Sequence, residues 1–474
     1  MKKINRDMKN INKILILVGI FTLLASSSVL AERSRNVQIS TKQKANASCL
    51  PATNSNELTI NNVRAYLETN GTMWFKEVAE YEVPIGSGMT SMFSSALWIG
   101  GRDINQQLKL AAVRFRQKGD DFWTGPLTVV GASVDQETCS QYDKHFKITR
   151  AQVEAHIAAF DENGTLIDPE YVTPSIITNW PAHGDVSKGQ SKYLAPFKDL
   201  GEDGEYNPDQ GDYPYYDLDN DLCPWTEANR ALAAAGMLPI TPEEASGVTT
   251  GMIYADHVLK GDETLYWIFN DKGGAHTESE GEPIGLEIRG QAFGFATNDD
   301  LNNMTFYSYE IINRSTYELT NTFFSQWVDP DLGYANDDYV GCDVARGLGY
   351  CYNGYDVDGT GQTWAYSNQP PAVGVDFFQG PYIDDDGRDN PKFYKDSSIV
   401  NGYCDRFLES EYAVDQMAIN GVNFGDGIVD NERFGMRRFV YHNNNDSPTG
   451  DPDVAIDYYN MLQGIWRDNQ RMRY

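Results

Sequence analysis

Carboxylates spaced along turn-rich segments are the residues of this chain best suited to chemistry, and that chemistry is the holding of a hard cation. Calcium takes about six to eight oxygen ligands, which alternating Asp and Asn residues supply around a Gly at the bend. Asp199-Leu-Gly-Glu-Asp203-Gly204-Glu-Tyr-Asn207-Pro-Asp209-Gln-Gly-Asp212 places acids at loop positions one and five, Gly at six and Asn at nine. It departs from the EF-hand pattern at positions three (Gly201) and twelve (Gln210), so Asp209 or Asp212 must substitute. Asp217, Asp219 and Asp221 follow with alternate acids, although Leu222 stands where a Gly belongs. Calcium is therefore expected first at these two loops, with solvated turns as the bland alternative.

Three other acidic segments carry weaker forms of the pattern. Asp384, Asp386 and Asp389 surround Gly387, and Asp426, Asp430 and Glu432 follow Gly425. Asp329, Asp331, Asp337, Asp338 and Asp343 match no loop template and converge only if the fold brings them together. Nucleophilic and zinc chemistry find little support. The histidines His145, His156, His183, His257, His276 and His442 form no HExxH and no i, i+4 pair. Gly86-Ser87-Gly88 lacks the spacing of a nucleophile elbow and reads as a turn. Trp98, Trp123 and Trp180 can stack on sugar rings, but core packing accounts for each more simply.

The elements that must position these groups are mostly strands. Leu58–Val63, Arg64–Leu67, Met73–Phe75, Tyr81–Val83, Ser94–Ile99 and Leu110–Phe115 alternate in the strand period, with a hairpin turn at Asn70-Gly71. Helices are expected over Gln136–Phe146, over Val153–Phe160 behind a capping box at Thr149–Gln152, and over Glu227–Ala235, Phe407–Ala418 and Ile456–Trp466. Tyr254–Leu259 and Thr264–Phe269 lead into three consecutive strands, Leu286–Gly290, Met304–Ile312 and Leu319–Val328. That block reads as the sheet core, and Asp329–Asp343 as its acidic rim. The fold class is mainly β: antiparallel β-sandwiches with helical insertions and long acidic loops. The expected organisation is a signal peptide over 1–31, a flexible leader over 32–56, a β-rich region with a helical insertion over 57–245, and a β-sandwich with acidic loops and a terminal helix over 246–474.

Charge and cysteines bear on the compartment. Lys2, Lys3, Arg6, Lys9 and Lys13 precede the apolar Ile14–Leu24, and Val29-Leu-Ala31 offers a cleavage site before Glu32. The apolar run falls short of the roughly 20 residues of a membrane span. A formal charge of −30 disfavours nucleic acid and anionic membrane as partners. Cys49, Cys139, Cys223, Cys342, Cys351 and Cys404 form no CxxC and read as disulfides of an exported chain. Cys342 and Cys351, close across a Gly-containing turn, are the expected pair; the remaining four allow three pairings.

A set of phrases carries a resemblance across most of the chain. They include Asn62-Val-Arg-Ala-Tyr-Leu-Glu-Thr-Asn-Gly-Thr-Met-Trp74, Ala96-Leu-Trp-Ile-Gly-Gly-Arg-Asp103 and Asn179-Trp-Pro-Ala-His-Gly-Asp185. Trp327-Val-Asp-Pro-Asp-Leu-Gly333, Asp337-Asp-Tyr-Val-Gly-Cys-Asp343 and Asn423-Phe-Gly-Asp-Gly-Ile-Val-Asp-Asn-Glu-Arg-Phe-Gly435 extend the set. Together they resemble a family of large secreted proteins exported by the type IX secretion system. The resemblance implies a β-rich surface or released protein that meets the secretion machinery during export and ends in a C-terminal sorting domain. No such domain precedes Tyr474, so a truncated product is expected. It supplies no catalytic residues. The expected function is binding or adhesion to an extracellular ligand, a carbohydrate or a surface protein, with calcium as stabiliser. The alternatives are a secreted glycoside hydrolase and a structural module of a surface assembly.

Overall fold

The structure, a computed structural model, describes residues 49–215, 259–382, 421–423 and 432–472. Strands dominate. In the first half they are β1 (Ser55–Leu58), β2 (Arg64–Glu68), β3 (Tyr81–Glu82), β4 (Thr90–Met92), β5 (Ser94–Arg102) and β6 (Leu108–Ala112). Helix α1 (Gln136–Gln141), strand β7 (Phe146–Thr149) and helix α2 (Arg150–Ala159) follow. The second half contributes β8 (Glu263–Asn270), β9 (Leu286–Gly294), β10 (Phe306–Asn313), β11 (Thr320–Asp329), β12 (Asp338–Asp343), β13 (Leu348–Asn353), β14 (Ala372–Asp376) and α3 (Ala455–Leu462).

Four antiparallel sheets organise these strands, in the orders β1-β2-β3-β4, β11-β5-β6, β7-β8-β9-β10 and β12-β13-β14. Strand β8 (Glu-Thr-Leu-Tyr-Trp-Ile-Phe-Asn) is buried along its whole length, as a central strand covered on both faces requires. One apolar core joins Ala65 and Leu67 of β2, Leu97 and Ile99 of β5, Leu265, Trp267 and Phe269 of β8 and Ile288 of β9. Each Leu, Ile and Phe among them contributes about 2 kcal/mol on leaving water. On its other face β5 turns Trp98 into a second core with Trp327, Tyr458 and Leu462. Gly100 makes that packing close: a Cβ there would stand 2.7 Å from Leu110 and 3.0 Å from Leu462.

Several expectations are met and several are corrected. The capping box at Thr149 is formed, with Gln152 N–H donating to the Thr149 hydroxyl at 3.3 Å and Thr149 N–H to Gln152 Oε1 at 2.9 Å. Trp98, Trp123 and Trp180 are all buried core residues. The helix expected over Gln136–Phe146 stops at Gln141, because Phe146 and Ile148 are taken into β7 against β8. The three consecutive strands of the expected sheet core do not stay together. β9 and β10 pair, but β11 crosses to β5 in another sheet. Strand pairs β7–β8 and β5–β11 join residues 57–245 to residues 246–474, so those two regions share sheets and a core.

The cysteine expectation fails in its first choice. Cys342 and Cys351 are separate thiols: in the β12–β13 register Cys342 opposes Gly349 and Cys351 opposes Val340. Diagonal neighbours lie about 7–8 Å apart between Cα atoms, beyond ordinary disulfide reach. Cys49 instead bonds Cys139 at the end of the helix α1 turn. The expected flexible leader is therefore corrected over residues 49–56, which hold a buried disulfide and the start of β1. The helices expected over 227–235 and 407–418, most of the strand expected over 254–259, residues 1–48, Cys223 and Cys404 lie outside the described residues.

Candidate functional site

The acidic loop at 199–212 is braced from within. Asp212, 2% exposed, accepts the amides of Leu200 (2.9 Å) and Asn207 (2.7 Å) on its two oxygens. Asp199 Oδ2 accepts the Gly204 amide at 2.6 Å, and Asp203 Oδ1 accepts that of Glu205 at 2.8 Å. Asp199 Oδ1 is a buried oxygen with no hydrogen-bond partner among the described residues. A Cβ on Gly201 would meet this oxygen at 3.7 Å and Asp203 Oδ2 at 3.9 Å, ordinary contact distances that put Gly201 beside both carboxylates. Asn207 Nδ2 donates to Asp203 Oδ2 at 3.3 Å, while Asp209 sits in a short 3-10 turn over Pro208–Gln210 and is exposed. Asp217, Asp219, Asp221, Asp384, Asp386, Asp389, Asp426 and Asp430 lie outside the described residues; Glu432 is buried. Among the described residues no group of three or more His, Cys, Asp or Glu side chains stands ready to hold a metal ion.

The 329–343 acids do gather, with one exception. Asp338 Oδ2 accepts the Leu332 amide at 2.9 Å, and Asp337 Oδ2 that of Gly359 at 3.0 Å. The second oxygen of each is buried and unpartnered among the described residues. Burial pushes the Asp338 carboxyl up to about 7, opposed by the Leu332 amide and reinforced by Asp337, Asp331 and Asp358. Burial, with the charges of Asp331 and Asp451, likewise pushes Asp329 well above the usual carboxylate range. Asp343 stands apart: it caps the 344–346 turn and pairs with Arg346, whose hydrogen bond holds it low.

Asp329 and Asp338 open onto a cleft of about 4280 Å³. Its walls are aromatic, with Tyr307 and Tyr309 from β10, Phe324 and Trp327 from β11, and Tyr350 from β13. Tyr339, also on its wall, opposes Tyr352 across β12 and β13 with ring centroids 6.0 Å apart, and both remain about half exposed. Gly341 lies under the Tyr350 ring, where a Cβ would come within 2.5 Å. Strand alternation therefore places Tyr339, Tyr350 and Tyr352 on one face, opposite Cys351 and the half-buried Val373 and Val375.

One polar constellation at this end was not legible from sequence spacing. Trp327 Nε1 donates to His442 Nε2 at 2.9 Å, and His442 Nδ1 stands 3.1 Å from Asp451 Oδ1. An indole nitrogen only donates, so Nε2 accepts and the proton sits on Nδ1, facing Asp451. Arg114, 2% exposed, meets the same Asp451 oxygen at 3.0 Å. Burial pushes Asp451 up, but His442 and Arg114 outweigh it and hold the carboxyl low. This His–Asp pair thus clamps the 440–453 segment to Trp327, with Nε2 already engaged. No family model, curated protein or solved structure matches the chain.

Proposed function

We propose that this is an exported surface protein that binds an extracellular ligand in the cleft between β10, β11 and β13. The observation that carries the reading is an aromatic-walled cleft bearing two acids, Asp329 and Asp338, with no ion-pair partner among the described residues. Aromatic faces supply apolar contact, and the two carboxyl groups supply hydrogen bonding to a polar ligand. The test is retention of the full chain on a panel of immobilised polysaccharides and surface proteins, against the double variant Tyr339→Ala/Tyr350→Ala. The reading expects at least tenfold weaker retention of the variant. Equal retention, or none on any support, overturns it.

The hydrolase reading gains one observation, since Asp338 near 7 is suited to donating a proton. A glycosidase also needs an ionised partner, and environments that push two carboxyls apart. Here Asp329 and Asp338 are both pushed upward, which favours binding. Turnover of a polysaccharide that Asp338→Asn abolishes would reverse that preference.

Two further parts of the proposal rest on the sequence. Export follows from the 1–31 segment, with type IX secretion as the route the quoted phrases point to, and the secreted chain is expected to begin at Glu32. Calcium binds the 199–212 loop, where Asp199 and Asp203 flank Gly201 and supply the first oxygens.

A further inference from the structure

Backbone pairing shows which side of each cleft strand is open. Ser95 of β5 gives its N–H and C=O to Met73, at 3.0 and 2.8 Å, on the side away from β11. Val328 lies opposite Ser95, so it has no ladder bond to β5. The alternation of antiparallel pairs then turns the backbone groups of Val328, Gln326 and Phe324 outward. On β10 the Arg314 amide bonds Gly285 just beyond the Leu286–Asn313 pair, which makes that pair a non-bonded one. Tyr307, Tyr309 and Ile311 accordingly face outward too. All six residues line the cleft, and none of their outward backbone groups has a partner among the described residues.

Long open edges are normally blocked by Lys, Pro, bulges or a covering element. The β11 sequence Thr-Asn-Thr-Phe-Phe-Ser-Gln-Trp-Val-Asp contains no Pro and no Lys, its register irregularity lies between Thr320 and Phe323, before the open Phe324–Val328 stretch, and Phe324 is 37% exposed. A row of alternating N–H and C=O groups at strand spacing is complementary to another extended polypeptide. Its C-terminal end carries Asp329, which lines the cleft with no ion-pair partner among the described residues, so a cation of an added strand can pair with it as it gives up its proton.

We propose that the cleft takes an extended polypeptide segment as an added strand on β11, with a Lys or Arg of that segment set against Asp329. This rests on the reading of the cleft as the ligand site, and it names a polypeptide as the ligand. The probe is a pool of immobilised ten-residue peptides alternating apolar and polar residues, with and without a Lys, alongside the polysaccharide panel. The full chain is compared with Phe324→Pro, which removes an outward donor and spares the β5 ladder, and with Phe324→Ala, which keeps the donor. Lys-containing peptides are expected to bind. Phe324→Pro should weaken them at least tenfold and Phe324→Ala about threefold or less. Alternate N-methylation of the best peptide should abolish binding, and this arm decides the matter if circular dichroism shows Phe324→Pro unfolded. Equal affinity for Phe324→Pro and Phe324→Ala, or for the methylated peptide, overturns the proposal. Polysaccharide retention indifferent to Phe324→Pro, without peptide binding, overturns it while leaving the cleft a binding site. Failure of both panels overturns both readings.

Discussion

Asp271 and Asp338 are both carboxylates at strand ends, and they live in opposite circumstances. Asp271, fully buried after β8, accepts the amides of Ile284, Gly285 and Leu286 at 2.6, 2.8 and 2.6 Å. Asp338, at the start of β12, accepts one amide and keeps a buried oxygen without a partner among the described residues. Asp121 and Glu287 repeat the first case. Asp121 accepts the amides of Ala112, Glu278 and Ser279 and the Ser279 hydroxyl, and Glu287 pairs with Arg289 and Arg314. A carboxylate whose lone pairs are filled by the chain braces the fold, whereas an unfilled one adds a desolvation cost to it.

The largest effect should come from breaking the first kind. Asp271→Ala leaves three buried amides unsatisfied and should cost about 4 kcal/mol in urea denaturation. A loss under about 1 kcal/mol would erase the distinction. Arg114→Met should come next, at about 3 kcal/mol, because Glu278 is buried beside Arg114 and Asp451 depends on it. The same variant should expose the 440–472 segment to limited proteolysis, since Arg114, His442 and Asp451 hold it.

The second kind should behave in the reverse sense. The folded-state carboxyl of Asp338 is raised, so between about pH 4 and its raised value the native state keeps a proton that the unfolded chain releases. Stability therefore falls as pH rises through that window and stays lower above it. Asp338→Asn removes the penalty. It should gain about 1 kcal/mol at pH 8 after discounting for partial exposure, and nothing at pH 3. Thermal melts at the two pH values check this; a loss at pH 8 would make Asp338 a brace like Asp271. The smallest effect is calcium at the 199–212 loop, a rise in Tm of about 1 °C in millimolar calcium over chelator that Asp199→Ala abolishes.

Local rules carried well from residues to structure. The Thr149–Gln152 box, the buried tryptophans and the apolar run of β8 each depend on neighbours in sequence, so their spacing is informative. Gly71 adopts φ +88° at the expected Asn70-Gly71 turn for the same reason. Partner choice was not legible. Nothing in Leu319–Val328 says that it pairs with Ser94–Arg102, more than two hundred residues away, when Met304–Ile312 is its neighbour in the chain. The Cys342–Cys351 expectation failed likewise, since proximity across a turn does not set the register that keeps the thiols diagonal. The acidic cluster at 329–338 was visible as composition, but the burial that raises Asp329 and Asp338 required the fold. His442 and Asp451 carry no spacing signal at all, and become partners only through Trp327 and Arg114.

The open edge of β11 is the structural claim on which the ligand reading most depends, and amide hydrogen exchange of the free protein tests it directly. Ser325 and Trp327 lie opposite Trp98 and Ala96 in the ladder, whereas Phe324 and Gln326 face the cleft. The expected result is alternation, with slow exchange at Ser325 and Trp327 and fast exchange at Phe324 and Gln326. Uniformly slow exchange across Phe324–Trp327 would contradict it, because the edge would then already be paired.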